Sequence, residues 1–216
     1  MINNWDKVFT ESPGKDLAYP DESLIRFVSQ TLSNKIQKRK IKILEIGCGT
    51  GSNLWYLSKK GYSVYGIDSS KKAIFLSKAR CKKEKVKCKI LFMDASKLQF
   101  KDNFFDMVLD IECLYSNSYE NTKLILNEIF RVLKKDGTFF SKTFATGMKY
   151  LKKNKNWHTS KKKLPLFSEH NLFRLTKESD IKKIYSNFKN LNWEYLHRTV
   201  RNRKYVIKEW LIYGKK

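Results

Sequence analysis

The chain of 216 residues is long enough for one large core and short for two domains. Hydrophobic residues make up 41% of it and aromatic residues 14%, which favours a packed interior and argues against general disorder. No apolar run approaches the roughly 18 to 20 residues of a membrane-spanning helix, and the first residues do not resemble a signal peptide. The four cysteines lack zinc-type spacing, so we predict no metal site and expect reduced thiols in a cytoplasmic protein.

The net charge of +24 has two interpretations. A strongly basic chain is typical of nucleic-acid-binding proteins and of proteins that attract small anions. The chain is also rich in Lys, Asn, Ile, Phe and Tyr together, as an AT-rich genome produces. Its lysines greatly outnumber its arginines, although base-reading surfaces favour arginine. The charge alone therefore leaves open whether the basic surface is functional.

Strands and helices are predicted to alternate after an N-terminal cap. Within the cap, Pro13-Gly14 breaks the chain, and a helix is predicted after Pro20 with Asp21 as its N-cap. The next strands are predicted at 41–46, 63–67, 89–93, 105–110 and 137–144, and the helices between them at 53–60, 70–83 and 122–133. This alternation predicts a parallel sheet covered by helices on both faces.

The alternation of strands and helices is interrupted after residue 145, and regular elements are predicted again from residue 176. Residues 146–163 contain many lysines and no acid, which predicts either a solvated loop or a substrate-facing lid. A helix at 176–188 follows, and then two strands at 193–199 and 205–213, joined by a turn at 201–203.

A glycine-rich loop, residues 47–51, connects the first strand to the next helix. Its glycines allow a tight turn and let a ligand approach the backbone closely. Compared with the dinucleotide pattern G-x-G-x-x-G, the third glycine comes one place early. Glu45 precedes the loop, where a carboxylate would repel a pyrophosphate but would attract a cationic amino group. By itself the loop is compatible with a nucleotide site or with a structural turn.

Two further acids follow neighbouring strands. Asp68 lies 17 positions after Gly51, close to where a ribose-binding carboxylate belongs, although it is also a possible helix N-cap. Asp94 follows the third strand, where it can accept a hydrogen bond from an adenine amine or form a turn. Since parallel strands end at the same edge of a sheet, the loop and both acids indicate one ligand-binding crevice.

Taken together, these segments resemble the class I S-adenosylmethionine-dependent methyltransferases. The matching motifs lie at 45–51, 65–68, 93–95, 104–110 and 128–137, within residues 41–145. The resemblance implies a Rossmann-like α/β fold with a seven-stranded sheet, helices on both faces and an antiparallel last strand. It also implies S-adenosylmethionine as the cofactor and S-adenosylhomocysteine as its product. We expect one domain made of a cap or lid (1–40), a cofactor-binding core (41–145), a basic substrate loop (146–171) and a C-terminal helix and strand pair (172–216).

The resemblance also assigns cofactor contacts. The amino-acid end of the cofactor lies at the glycine loop, the ribose at Asp68 and the adenine at Asp94 and Ala95. In the cap, Tyr19 would close over the cofactor and Arg26 would pair with its carboxylate, with core packing as an alternative for Tyr19. The complete predicted set is Tyr19, Arg26, Glu45, Gly47, Cys48, Gly49, Gly51, Asn53, Asp68, Ser69, Asp94, Ala95, Asp110 and Ile111, the last two near the sulfonium.

The catalytic residues are less clearly indicated. Related enzymes often have a histidine after the fourth strand, but residues 111–117 contain none. The candidates for a general base are therefore Glu112, Tyr115, His158 and His170. His170 is favoured because it follows the basic loop and precedes the last helix, and Tyr115 is the second choice.

Two kinds of acceptor fit the sequence. The first is a small anionic molecule, such as a sugar, a sugar nucleotide or a phosphorylated metabolite, as for enzymes of surface-polysaccharide gene clusters. The second is RNA, with the lysines as phosphate contacts, although no RNA-binding module is evident. A non-catalytic scaffold is a third interpretation, which the complete set of acids argues against. The sequence does not indicate an oligomeric state.

Overall fold

The computed structural model describes residues 5–11, 18–32, 37–148, 151–154, 156–160 and 172–216. Its helices are α1 (Trp5–Glu11), α2 (Glu22–Leu32), α3 (Ser52–Lys59), α4 (Lys71–Lys83), α5 (Tyr119–Val132) and α6 (Glu178–Ile184). Its strands are β1 (Lys42–Ile46), β2 (Ser63–Asp68), β3 (Lys89–Phe92), β4 (Phe105–Ile111), β5 (Leu133–Phe144), β6 (Leu151–Asn154), β7 (Trp157–Ser160), β8 (Lys189–Val200) and β9 (Tyr205–Lys215).

A seven-stranded sheet has the order β3-β2-β1-β4-β5-β9-β8. Strands β1 to β5 pair in parallel, whereas β9 runs antiparallel to both of its neighbours. The predicted Rossmann-like sheet with an antiparallel last strand is therefore confirmed. Ile46 pairs with Ile67 on one side and with Asp110 on the other, so the carboxyl ends of β1, β2 and β4 lie at one edge.

Helices cover both faces of the sheet because the central strands are apolar on both sides. Along β1, Ile43 packs in one cluster with residues of α2, α3 and α4, whereas Leu44 packs in another with residues of α5 and α6. This alternation follows from the two-residue period of a strand. Both side chains are completely buried, and each contributes about 1.5–3 kcal/mol of hydrophobic stabilisation.

Helix starts depend on capping side chains that the apolar pattern does not reveal. The Ser118 hydroxyl accepts a hydrogen bond from the Asn121 amide at 3.1 Å and caps α5, which begins three residues earlier than predicted. Asp21 caps α2 as predicted, since its carboxylate accepts from the amides of Ser23 and Leu24. The C-terminal helix α6 is shorter than the predicted 176–188.

Two described elements were not predicted. The first is α1, whose Asp6 carboxylate accepts hydrogen bonds from the Ser70 hydroxyl and the Lys72 amide at the start of α4. The second is the β6–β7 hairpin, which forms within the segment predicted as a loop or lid. The rest of the basic loop, apart from 146–148 and 156, lies outside the described residues. Within the described chain, no helix is both long and apolar enough to cross a membrane.

Candidate functional site

A cavity of about 570 Å³ opens at the edge of the sheet where β1, β2 and β4 end. Its floor is the glycine loop, and its sides are the residues that follow β2, β3 and β4. The side chains of Trp5 and Phe9 on α1 and of Asp21 at the start of α2 complete the wall. The volume and the position at the carboxyl ends of parallel strands are typical of a small-ligand site in an α/β protein.

The glycine loop has a left-handed backbone at Gly47, Gly49 and Gly51, with φ values of 60°, 52° and 81°. Other residues seldom adopt this conformation. At Gly47 space is also restricted, because a β-carbon there would lie 2.5 Å from Cys113 Sγ. The glycine is therefore required both for the turn and for close packing against the segment after β4.

Gly47→Ala is expected to destabilise the protein by about 2–5 kcal/mol, the sum of left-handed strain and overpacking. Gly61 provides the matched control, because its φ of 93° is also left-handed but a β-carbon there would meet only Lys38 Cβ, at 3.9 Å. Gly61→Ala should therefore show the strain alone, about 1–2 kcal/mol. Urea unfolding measures both variants, and equal losses would contradict the packing argument.

Glu45 is only 2% exposed and lies in the cavity wall. Its Oε1 accepts a hydrogen bond from Asn53 Nδ2 at 2.6 Å, whereas its Oε2 has no partner among the described atoms. Burial raises the pKa of Glu45 to about 8, against the opposing effect of the Asn53 hydrogen bond. A buried carboxylate oxygen without a donor is unfavourable by itself, and a cationic ligand group would satisfy it.

Asp68 joins the glycine loop to the start of α4. Its Oδ2 accepts from the Gly49 amide at 2.9 Å, and its Oδ1 accepts from the Ser70 amide at 2.8 Å. Burial raises the pKa of Asp68, although these amide hydrogen bonds oppose the shift. The Ser69 amide also stabilises the ionised group, whose two oxygens offer about four acceptor positions, so the carboxylate can accept from ligand hydroxyls as well.

A buried cluster of charged side chains lies behind the part of the cavity wall that Asp21 and Glu112 form. The Lys142 ammonium on β5 is 2.8 Å from Asp21 Oδ2, 3.2 Å from Glu112 Oε1 and 3.1 Å from Glu209 Oε1. Burial opposes the charge of Lys142, but the three carboxylates outweigh this effect and raise its pKa above the ordinary value. Arg198 adds a second cation, 3.2 Å from Glu209. Asp21 and Glu112 belong both to this cluster and to the cavity wall.

Most of the predicted cofactor-binding residues lie in the cavity wall. These are Glu45, Gly47, Cys48, Gly49, Asn53, Asp68, Ser69, Asp94, Ala95 and Ile111. Gly51 lies behind the loop, where it is buried against Ser77. The remaining three residues have different surroundings from those expected.

Tyr19, Arg26 and Asp110 do not line the described cavity. Tyr19 is 77% exposed, and Arg26 lies on the outer side of α2, 3.5 Å from Glu22. The Asp110 carboxylate is buried and accepts from the amides of Cys113 and Leu114 and from the Ser141 hydroxyl. Asp110 thus organises the wall from behind because its hydrogen bonds shape the segment after β4.

The four candidates for a general base differ in where they lie relative to the cavity. Tyr115 lines the cavity, but burial raises its pKa far above the ordinary value, so it can donate a hydrogen bond and is a poor base. His158 lies on β7 outside the cavity wall and pairs with the backbone of Phe173. His170 lies outside the described residues. Glu112 is the remaining candidate, and it lies in the wall.

Sequence reasoning missed Lys142 as a site residue and did not predict the inward position of Phe9. The signal for Lys142 was a lysine inside the apolar run of β5, between Phe140 and Phe144. A charge within a buried strand requires buried partners of opposite charge. Those partners come from distant parts of the chain, so the sequence could not identify them.

Comparison with known proteins agrees with this geometry. Residues 44–141 match the family described as a methyltransferase domain. The ubiquinone biosynthesis O-methyltransferase of Pelagibacter ubique is 34% identical over 134 residues, which cover 62% of this chain and 54% of the relative. Both matches are to methyltransferases, so residues 44–141 are similar to proteins of that class. The chain spans about half the length of the first curated relatives that it matches.

Solved methyltransferases share the fold. A SAM-dependent methyltransferase from Methanosarcina mazei superposes with a TM-score of 0.72 at 23% identity, covering 86% of this chain and 96% of that one. A second, the 1,6-didemethyltoxoflavin-N1-methyltransferase of Burkholderia thailandensis, was solved with 1,6-didemethyltoxoflavin and S-adenosylhomocysteine. Its TM-score is 0.67 at 18% identity, covering 98% of this chain and 87% of that one. At such identities the likeness establishes the fold.

Proposed function

We propose that this chain transfers a methyl group from S-adenosylmethionine to a small molecule bound beside the glycine loop. The observation that carries the proposal is the unpaired carboxylate oxygen of Glu45 in the cavity wall. It suits the ammonium of an amino-acid group and would repel a phosphate. Its position beside a left-handed glycine loop lets a ligand approach the backbone closely.

The residues of the cavity divide the proposed cofactor site into three parts. Glu45, with Gly47 and Gly49 beside it, would hold the amino-acid end, and Asp68 would accept hydrogen bonds from the ribose hydroxyls. Asp94 and Ala95 would lie at the adenine. When bound, the cofactor supplies a methyl group on a sulfonium, which a nucleophile takes directly. The protein therefore contributes mainly alignment, which can lower a barrier by roughly 7–11 kcal/mol.

Binding of S-adenosylhomocysteine is expected to release up to about one proton from wild-type protein at pH 7, because the ligand's ammonium favours ionised Glu45. The free protein holds this proton at pH 7, since the pKa of Glu45 is about 8. Affinity should therefore rise with pH, by at most about tenfold per unit, until Glu45 ionises without ligand. Calorimetry in phosphate and in Tris buffer measures the proton count.

Glu45→Gln is the matched control for this measurement. The substitution keeps the shape of the side chain but removes its proton exchange. It also removes about 1.5–3 kcal/mol of charge-assisted hydrogen bonding, which should lower the affinity at high pH by roughly 10- to 150-fold. The free ligand is the same in both measurements and its amine is already mostly protonated at pH 7, so the difference between the two proteins reports Glu45. Equal proton release by both proteins would rule out the proposed partner of the ammonium.

For the acceptor we propose a neutral or cationic molecule with a hydroxyl or amine nucleophile, in place of the predicted anionic one. The support is the composition of the wall, where the acidic and basic side chains of the described part are all acidic: Asp21, Glu45, Asp68, Asp94 and Glu112. Most of the lysines that favoured an anion belong to a segment outside the described residues. Two of the similar proteins reported above are named as an O-methyltransferase and an N1-methyltransferase, and both names are compatible with such a nucleophile.

Radiolabelled methyl transfer tests the acceptor class directly. The panel comprises neutral phenols and sugars, amines, sugar nucleotides, phosphorylated metabolites and RNA. We expect incorporation into a hydroxyl or amine compound without a phosphate. Preferential incorporation into sugar nucleotides would restore the anionic acceptor and a role in polysaccharide synthesis. Incorporation into RNA, with an affinity that falls steeply as salt rises, would replace the small-molecule proposal.

A further inference from the structure

Glu112 adopts an unusual backbone conformation directly after β4. Its φ of 59° is left-handed, a region that a residue with a side chain seldom occupies. Its amide donates a hydrogen bond to the Lys142 carbonyl at 3.0 Å, which holds this conformation. Strained residues concentrate at functional sites, where the surrounding structure maintains them. Here the strain accompanies a carboxylate in the cavity wall, with 24% of the side chain exposed.

Of the three carboxylates that surround Lys142, that of Glu112 is the most accessible to a ligand. Glu209 is completely buried and contacts both Lys142 and Arg198. Asp21 uses one oxygen to cap α2 and the other to contact Lys142. Glu112 has a longer contact with Lys142, at 3.2 Å, and it is more exposed than Asp21.

Glu112 also stands close to the proposed cofactor site. The next residue, Cys113, packs against Gly47 of the glycine loop so closely that a β-carbon on the glycine would overlap it. Tyr115 and Asn117 continue the same wall. An acceptor bound along this wall would therefore lie between Glu112 and the amino-acid end of the loop.

We propose that Glu112 is the general base of the methyl transfer and that Lys142 is its positioning residue, an inference that rests on the proposed function. The proton of the acceptor's O–H or N–H bond passes to the Glu112 carboxylate. The freed oxygen or nitrogen lone pair forms a bond to the methyl carbon, while the carbon–sulfur bond breaks and leaves its electron pair on sulfur. Glu112 then returns its proton to water.

The electrostatics of Glu112 suit this role. Burial raises its pKa to about 7 against the opposing charge of Lys142. The charge of Glu209, a hydrogen bond shared with Glu209 and the charge of Asp21 add to the shift. A base of this strength is partly ionised at neutral pH and accepts a proton readily. Tyr115 is the nearby phenol on the same wall, and the charge of Glu112 helps to keep it protonated.

The first test needs no acceptor. Carbon-13 NMR of protein labelled at glutamate carboxyl carbons should show, beside the Glu45 resonance with a midpoint near pH 8, a second resonance that titrates near pH 7 and disappears in Glu112→Gln. Asp21→Asn should move the midpoint of that resonance to lower pH, since it removes a neighbouring negative charge but keeps a capping side chain. A Glu112 resonance that titrates near pH 4, as exposed glutamates do, would overturn the proposal.

The second test uses whichever acceptor the radiolabel panel identifies. Glu112→Gln should lower kcat about 100- to 10,000-fold and remove the acid limb of the pH profile, with the Kd for S-adenosylhomocysteine unchanged. Glu120→Gln, on the exposed start of α5, should leave both unchanged. Normal turnover and an intact acid limb in Glu112→Gln would overturn the role of Glu112. Failure of the wild-type protein to bind S-adenosylhomocysteine would instead refute the proposed function.

Discussion

Asp68→Ala is expected to weaken the binding of S-adenosylhomocysteine at least about 100-fold. The substitution removes the proposed acceptor of the ribose hydroxyls, and hydrogen bonds to a charged group contribute about 1.5–3 kcal/mol each. It also leaves the amides of Gly49 and Ser70 without their present partner. The glycine loop should therefore lose its fixed conformation as well, and isothermal titration calorimetry measures the combined effect.

A matched control separates binding from stability. Asp106 also accepts a backbone amide, that of Lys42 at 2.9 Å, and it pairs with Lys134 at 2.7 Å. It does not line the cavity. Asp106→Ala should thus lower the free energy of unfolding by about 1–3 kcal/mol without a change in affinity. If both variants bind as wild type does, Asp68 is not a ligand contact.

Lys142→Met is expected to cause the largest loss of stability, about 3–5 kcal/mol at pH 7. It would leave Asp21, Glu112 and Glu209 close together with Arg198 as the remaining cation. For a chain of this size the loss corresponds to a fall in Tm of about 6–20 °C. Thermal unfolding followed by circular dichroism measures it. Lys134→Met removes the half-exposed partner of Asp106 instead, and it should cost about 1 kcal/mol or less.

The pH dependence of this loss identifies its cause. In wild type the pKa of Lys142 is raised on folding, so its contribution to stability is complete below the ordinary lysine pKa, near pH 10.4, and is lost as the pH rises through the higher folded-state pKa. In Lys142→Met the carboxylates lack their cation, which raises their folded-state pKa values. Folded protein then binds more protons than unfolded protein, so the variant regains stability as pH falls from about 8 to 5.5. A constant difference across this range would contradict the electrostatic explanation.

Much of the fold follows from local patterns. The apolar run of β1 is long enough for a strand and ends in glycines, and the same kind of signal identifies β2 and β4. The predicted sheet was therefore correct in class. The start of α5 was wrong by three residues because Ser118, outside the apolar period, sets it. The N-terminal helix α1 was missed because docking of Asp6 onto α4, a contact 64 residues away in sequence, supports it.

The candidate site residues that lie at or directly after the end of a strand could be predicted from the sequence. Glu45, Asp68 and Asp94 follow directly from the topology of a parallel sheet, and all three lie in the cavity wall. Arg26 lies outside the described cavity wall, a position that the sequence could not show because it does not reveal which side of a cap helix faces the core. Asp110 also lies outside the wall, because its carboxylate is buried and accepts hydrogen bonds from the backbone amides of Cys113 and Leu114.

A crystal structure with S-adenosylhomocysteine bound tests the central proposal most directly. The ligand is predicted to lie in the cavity, with its ammonium within hydrogen-bonding distance of Glu45 Oε2 and its ribose hydroxyls on Asp68. Its adenine should lie beside Asp94 and Ala95. A complex in which the ligand occupies another site, or in which Glu45 Oε2 still has no donor, would contradict the account.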